Sequence, residues 1–154
     1  MDSSQTSRRD FLRAAAGAGL SQVLVVRDAS ATPETMKEEI RKLTGGAPLR
    51  RGRITLDIPQ LVENGNTVPM SIKVESPMTA ADHVAEIHVF NEKNPQTHVA
   101  SYTLGPRCGR AEISTRIKLA DTQNIVAIAR MSNGEFWSDT ANVIVTIAAC
   151  LEDL

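Results

Sequence analysis

The chain has 154 residues, 18 acidic and 17 basic, for a formal net charge of −1. That length fits one domain, and the near-neutral balance argues against a nucleic-acid binder, which carries a basic excess or a basic stripe. Hydrophobic residues make up 42% and aromatics only 3%, so a core is available and must be built mostly from Val, Ile, Leu and Ala. The two cysteines, Cys108 and Cys150, are too few for a zinc knuckle or a disulfide-rich scaffold.

Residues 1–31 read as a targeting segment rather than as part of the fold. Ser7-Arg8-Arg9-Asp10-Phe11-Leu12-Arg13 pairs two arginines with an apolar pair and a further base, and Ala14 to Val26 follows as a weakly hydrophobic stretch. Those 13 residues are too few to span a bilayer, which takes about 20. Ala29-Ser30-Ala31 offers a small-x-small cleavage site, which places the mature start near Thr32. The arginine pair with Phe-Leu behind it resembles the twin-arginine export signal of bacteria, a route that carries folded proteins. The remaining chain, 32–154, keeps 13 bases and 15 acids, and holds no second segment long enough to cross a membrane.

Thr32-Pro33 predicts a helix start, with a hydroxyl at the N-cap and Pro in the first turn. Met36, Ile40 and Leu43 recur at helical spacing, and Gly45-Gly46 with Pro48 ends the helix. This narrow stripe packs on the domain or docks on a partner. From Arg53 onward the period becomes two. Ile54 to Ile58 is one strand, Asn64-Gly65-Asn66 a turn, and Val68 to Val74 a second strand in which Pro69 marks an edge position. Val84 to Phe90, Val99 to Leu104, Ala111 to Leu119 and Ile125 to Met131 follow. Asn133-Gly134 signals a hairpin into Glu135-Phe136-Trp137, and Asn142 to Ala149 is the last strand. Seven or eight strands at short spacing with no helix between them predict an all-β antiparallel sandwich with one short N-terminal helix. Trp137, the only tryptophan, is expected to pack in the core at the hairpin.

Cys150 is the candidate site residue. It follows the last strand, on a tail that ends Leu151-Glu152-Asp153-Leu154. A thiol there cannot sit deep in a sandwich core, and an exposed thiol on an exported protein is open to oxidation. The residues leave three roles open: a covalent carrier, a disulfide with Cys108 in its Pro-Arg-Cys-Gly turn, or a disulfide between two copies of the chain. His83 and His88 are five apart on one strand and so on opposite faces, and His98 can neighbour only one of them. No metal site is expected, and the spacing of Asp82, Glu86, Glu135 and Asp139 supports no acid–base pair. Neither a Gly-x-Ser-x-Gly elbow nor a phosphate loop is present.

Across nearly the whole length the chain resembles the SoxY family, the periplasmic sulfur-carrier subunits of bacterial thiosulfate oxidation. The resemblance runs through the arginine leader, Lys42-Leu-Thr-Gly-Gly46, Ile54-Thr-Leu-Asp-Ile-Pro59 and Leu61-Val-Glu-Asn-Gly-Asn-Thr-Val-Pro69. It continues in Val74-Glu-Ser-Pro-Met78, Ile87-His-Val-Phe90, Lys93-Asn-Pro95, Leu104-Gly-Pro-Arg107, Ser114-Thr-Arg116 and Met131-Ser-Asn-Gly134, and it closes on Phe136-Trp137 and Cys150. It implies an immunoglobulin-like sandwich and a heterodimer with a SoxZ-like small β-sandwich subunit. It also implies covalent attachment of sulfur intermediates at Cys150. Heme-containing and hydrolytic partner enzymes would act on that sulfur, while the carrier itself, with no cofactor, catalyses nothing. One departure stands out. Familiar members end in a flexible Gly-Gly-Cys-Gly-Gly arm, whereas here Ala148-Ala149 precede the cysteine and Leu-Glu-Asp-Leu follows. Ala restricts the backbone relative to Gly, and the added carboxylates disfavour a thiolate. The alternative is a periplasmic binding subunit that keeps partner pairing without sulfur carriage.

Overall fold

The computed structural model describes residues 31–149; the expected leader up to residue 30, Cys150 and the tail after it lie outside the described residues. Helix α1 spans Pro33–Thr44. It begins where predicted, because Thr32 and Thr35 cap each other reciprocally: the Thr35 N–H donates to Thr32 Oγ1 at 3.1 Å and the Thr32 N–H to Thr35 Oγ1 at 2.7 Å. It ends at Gly45, whose φ of 61° is the left-handed conformation that glycine adopts without penalty. The Met36, Ile40 and Leu43 stripe packs on Phe90, Val126, Ile128 and Phe136. The helix therefore covers the chain's own sheet, and the expectation that its apolar stripe docks on a partner gives way.

Nine strands follow among the described residues: β1 (Leu49–Arg50), β2 (Ile54–Asp57), β3 (Leu61–Asn64), β4 (Val68–Val74), β5 (Val84–Asn91), β6 (His98–Thr103), β7 (Ala111–Ile117), β8 (Gln123–Met131) and β9 (Phe136–Ile147). One sheet has the order β1-β9-β8-β5-β6, with β3 also paired to β9; the other has the order β2-β4-β7. Their facing side chains form one core, drawn from Leu56, Met70 and Ile72 on the smaller sheet and from Ile87, Val89, Ile125, Ala127 and Val143 on the larger. Alternation does the sorting: along β4, Val68, Met70, Ile72 and Val74 are buried and the residues between them are not. β8 is buried on both faces, because Val126 and Ile128 point outward under α1 while Ile125 and Ala127 point inward. Burial of each large aliphatic side chain in this core contributes about 1.5–3 kcal/mol. The Asp139 carboxylate on β9 joins the sheets by accepting the Leu56 N–H of β2 at 2.9 Å.

The fold is mostly β with one short helix, as expected, but three details differ from the sequence reading. Pairing is not wholly antiparallel, since β1 and β3 both run parallel to β9. The hairpin strand at Phe136 and the strand expected from Asn142 are one continuous β9 of 12 residues. Pro69 lies on β4, the middle strand of its sheet. It sits beyond the last β2–β4 pair, Asp57↔Ser71, so at that point β4 has a neighbour only in β7.

Candidate functional site at the C-terminal pole

The strand directions divide the barrel-like body into two poles. β9 runs away from the Asn133-Gly134 hairpin and delivers its C-terminal end beside the Asn64–Asn66 turn and the loop after β7. Three backbone hydrogen bonds fasten that end. The Gly65 N–H donates to the Ile147 carbonyl at 2.8 Å, the Leu119 N–H to the Gly65 carbonyl at 2.8 Å, and the Ala149 N–H to the Leu119 carbonyl at 3.0 Å. Gly65 makes this possible. A Cβ at that position would stand 2.3 Å from the Leu119 carbonyl oxygen and 2.9 Å from the Ala149 nitrogen. The turn itself is set by Asn64, whose Oδ1 accepts the Asn66 N–H at 2.9 Å. Leu119 is fully buried, so the hook rests on the core rather than on a loose loop.

Further side-chain bonds hold the strand leading into the hook. Thr146 Oγ1 donates to the Val62 and Glu63 carbonyls at 3.3 and 3.1 Å, and Thr122 Oγ1 accepts the Val145 N–H at 3.0 Å. Asn94 clamps the neighbouring loops: its Nδ2 donates to the Lys118 carbonyl at 2.8 Å, and its Oδ1 accepts from the Ala120 N–H at 3.0 Å and from Gln123 Nε2 at 2.9 Å. Ala31, beside the expected cleavage point, is buried and donates its N–H to the Asn94 carbonyl. Three large apolar side chains stay exposed at this end of the β3–β9 pair: Leu61 at 63%, Ile144 at 49% and Ile147 at 64%. Leu61 and Ile144 are register partners.

The candidate residue Cys150 lies outside the described residues, but covalent geometry puts its Cα about 3.8 Å from that of Ala149. Cys108 is exposed, in the turn Pro106–Cys108 that leads into β7. That turn is at the opposite pole, because β7 runs from Ala111, paired to Val74, to Ile117, paired to Val68, before reaching Leu119. The length of β7 separates the two ends, about 20 Å at roughly 3.3 Å per residue, whereas a disulfide needs Cα atoms within about 7 Å. The body therefore holds Cys108 and Ala149 too far apart for Cys108 to bridge to Cys150 within one chain.

His98 neighbours only one of the other histidines, as expected, but His83 precedes β5 rather than sharing the strand with His88. His98 neighbours His88, with ring centroids 5.8 Å apart, and His83 stands apart with Nδ1 3.0 Å from the Thr79 carbonyl. His88 is occupied by Glu86 at 3.1 Å, and Glu86 is held in turn by Arg130 at 2.6 Å. Arg130, then His88, hold the Glu86 carboxyl below its usual range. Burial, with the nearby His88, pushes His98 below the usual imidazole range. Among the described residues no group of three or more His, Cys, Asp or Glu side chains could hold a metal ion. Trp137 does pack against the core at the hairpin, with Arg50 and Arg53 over its ring at 5.8 and 5.7 Å. A groove of about 660 Å³ runs over the outer face of the smaller sheet, lined by Asp57, Pro69, Ser71, Ser114 and Arg116, and no motif in the chain foretells it. Among the described residues no helix is long and apolar enough to cross a membrane.

The family profile described as sulfur oxidation protein SoxY matches residues 40–150. Among solved structures, the sulfur carrier protein SoxY from Chlorobium limicola f thiosulfatophilum matches with a TM-score of 0.62 at 27% identity, over 74% of this chain and 98% of that one. The frame is also shared with superoxide reductases. The superoxide reductase (neelaredoxin) of Ignicoccus hospitalis matches at 14% identity and a TM-score of 0.56, over 75% of this chain and 94% of its own. That of Nanoarchaeum equitans matches at 14% and 0.53, over 62% and 100%. At such identities the likeness is one of fold alone. Nothing among curated proteins matches. The chain belongs to the SoxY family.

Proposed function

We propose, from that membership, that this chain is a sulfur-substrate carrier of thiosulfate oxidation that holds sulfur intermediates covalently on the Cys150 thiol. The observation that carries the reading is the family match, which runs through residue 150 and so takes in the cysteine. Ala149, the residue before it, is fastened to Leu119 by a backbone hydrogen bond. The chemistry the carrier needs is modest. The Cys150 thiol and thiosulfate are joined through a new S–S bond with loss of one proton and of two electrons to a heme-containing partner enzyme, and a hydrolytic partner then adds water across the S–SO3 bond, releasing sulfate and leaving a persulfide on the cysteine. No acid–base pair is required of the carrier, so it acts as a substrate of its partners rather than as an enzyme.

The remaining features fit the same role. The two sheets make an immunoglobulin-like sandwich, and residues 1–31 direct the folded chain to the periplasm by the twin-arginine route. A SoxZ-like subunit completes a heterodimer, and the exposed Leu61–Ile144 pair is an apolar surface suited to such a contact. Heme-containing and hydrolytic enzymes then meet the loaded thiol transiently.

The test is an intact mass spectrum of the chain from thiosulfate-grown cells, before and after reduction. Reductant-labile additions of sulfur or a thiosulfonate that map to Cys150, persist in Cys108→Ser and vanish in Cys150→Ser are the expected result. An unmodified Cys150, or one locked in a stable disulfide, overturns the carrier reading and favours a subunit that pairs without carrying, which the Leu-Glu-Asp-Leu tail also allows.

A further inference from the structure

We propose that β7 is a self-pairing edge: two copies of the chain join β7 to β7, antiparallel, about a two-fold axis at Ser114, and so make one continuous sheet in the order β2-β4-β7-β7-β4-β2. The inference goes beyond sulfur carriage and does not rest on it.

The edge strands β2, β6 and β7 are finished differently. β2 is stopped by Asp139, which takes the Leu56 N–H at 2.9 Å. β6 pairs with β5 through a register shift between Val89 and Phe90, the kind of irregularity that spoils an edge as a template. β7 has neither protection. It is the outer strand of the order β2-β4-β7, and all seven of its residues pair with β4 without a break. Among the described residues, Ala111 to Ile117 make no backbone–backbone hydrogen bond outside that ladder. An antiparallel strand paired on one side only turns alternate N–H and C=O groups outward, and such a row accepts another strand.

The side chains of β7 suit its own copy. The two strands overlap over all seven residues in a single register, the one that sets Ser114 opposite Ser114. That register also sets Glu112 opposite Arg116 of the second copy, twice over, on the outer face. Both residues are exposed. Arg116 has no ion pair or hydrogen bond among the described residues, and Glu112 makes only loose ion pairs, at 3.6 Å to Lys73 and 3.9 Å to Arg110. Opposite charges directly across a strand pair stabilise it. On the inner face Ile113 comes opposite Thr115. These are the two inward residues of β7 left half-buried, whereas all four inward residues of β4 are buried. Just past the strand Arg110 comes opposite Lys118, and those like charges oppose any longer pairing. The contact uses the same surface on both copies and closes on itself, so it makes a dimer and not a fibre. The Leu61–Ile144 pair belongs to the larger sheet and stays open to a different subunit.

The experiment is sedimentation equilibrium of the full chain alone, under reductant so that disulfides play no part. The wild-type chain is expected to dimerise reversibly. Glu112→Arg and Arg116→Glu should each weaken the dimer by roughly tenfold or more, since each sets two like-charge pairs across the strands. An equimolar mixture of the two variants should regain the wild-type affinity, because the substituted positions then face each other as opposite charges and so do the unsubstituted ones. A wild-type chain that stays monomeric up to about 1 mM overturns the proposal. So does a dimer that both single variants leave unchanged, or one lost in Leu61→Ser instead. None of these results bears on whether the chain carries sulfur, which the mass spectrum reads separately.

Discussion

The two poles of the body each lead to a cysteine, and they are built differently. At the far pole Cys108 sits exposed in a one-turn helix closed by local bonds, Cys108 N–H to the Gly105 carbonyl and Arg110 N–H to the Cys108 carbonyl. At the C-terminal pole, besides the local Asn64–Asn66 bond, the fastening bonds join residues far apart in sequence: Gly65 to Ile147, Leu119 to Gly65, Ala149 to Leu119, and Asn94 to Lys118 and Gln123. A local turn positions itself and tolerates change, whereas a convergence of distant segments positions whatever is attached to it and tolerates little. The difference marks the pole that leads to Cys150 as the built one, although neither thiol is distinguished by its own residue type.

The contrast can be broken most severely at the glycines. Gly65→Ala forces overpacking against backbone and should cost about 3 kcal/mol, while Gly109→Ala, with open space but a φ of 71°, should cost about 1 kcal/mol. Urea denaturation of both variants measures the difference; equal costs would erase the distinction between the poles. Next comes the pair of turn asparagines. Asn94→Ala removes three bonds that clamp two loops and should cost about 2 kcal/mol, against about 0.5–1 kcal/mol for Asn133→Ala, which loses only the bond accepted from the Glu135 N–H.

Acid should separate the regions by pH rather than by size. His98, at the C-terminal-pole end of β6, has its imidazole pKa lowered, so the unfolded chain binds the proton first. Its stabilising contribution is complete above the ordinary imidazole value and is lost as pH falls from about 6.5 towards the depressed value. Glu86, nearer the far pole, has its carboxyl lowered. Its contribution is complete above the ordinary carboxylate value, about 4.3, and is lost only as pH falls further. Amide exchange should therefore show α1 and β6 loosening at mildly acidic pH while the Glu86–Arg130 region holds, and His98→Gln should abolish the first step. The smallest effect is expected of Arg110→Ala: its contact with Glu112, at 3.9 Å between exposed side chains, should shift stability by less than about 0.5 kcal/mol.

Much of the frame was legible in the sequence because local chemistry dictates it. The Thr32-Pro33 start and the Gly45 stop announced α1, period-two alternation announced β2, β4 and β7, and apolar runs bounded by turn residues announced β5, β6 and β8. β1 and β3 escaped because what orders them is parallel pairing with β9, more than 80 residues away, which no local pattern announces. The middle of β9 escaped because Ser138, Asp139 and Thr140 are polar, yet Asp139 is turned to use by the N–H of Leu56. Met78 takes a φ of 51° with its side chain buried, a non-glycine in a conformation no residue type advertised. Cys150 was singled out from the sequence but lies outside the described residues. The Asn64-Gly65-Asn66 turn was legible as a turn; that it fastens the end of β9 at Ile147 was not, since a glycine required by space alone reads like any other glycine.

The place of β9 also bears on when the protein can take shape. It follows every other described strand in sequence, yet it lies between β8 on one side and both β1 and β3 on the other. A nascent chain emerging from the ribosome can form α1 and the hairpins early, but β1 and β3 have no ladder to join until β9 is synthesised. Completion of the larger sheet thus waits on β9. Until then the first and third strands stay unpaired, and that interval is when a binding protein or chaperone has edge backbone to grip.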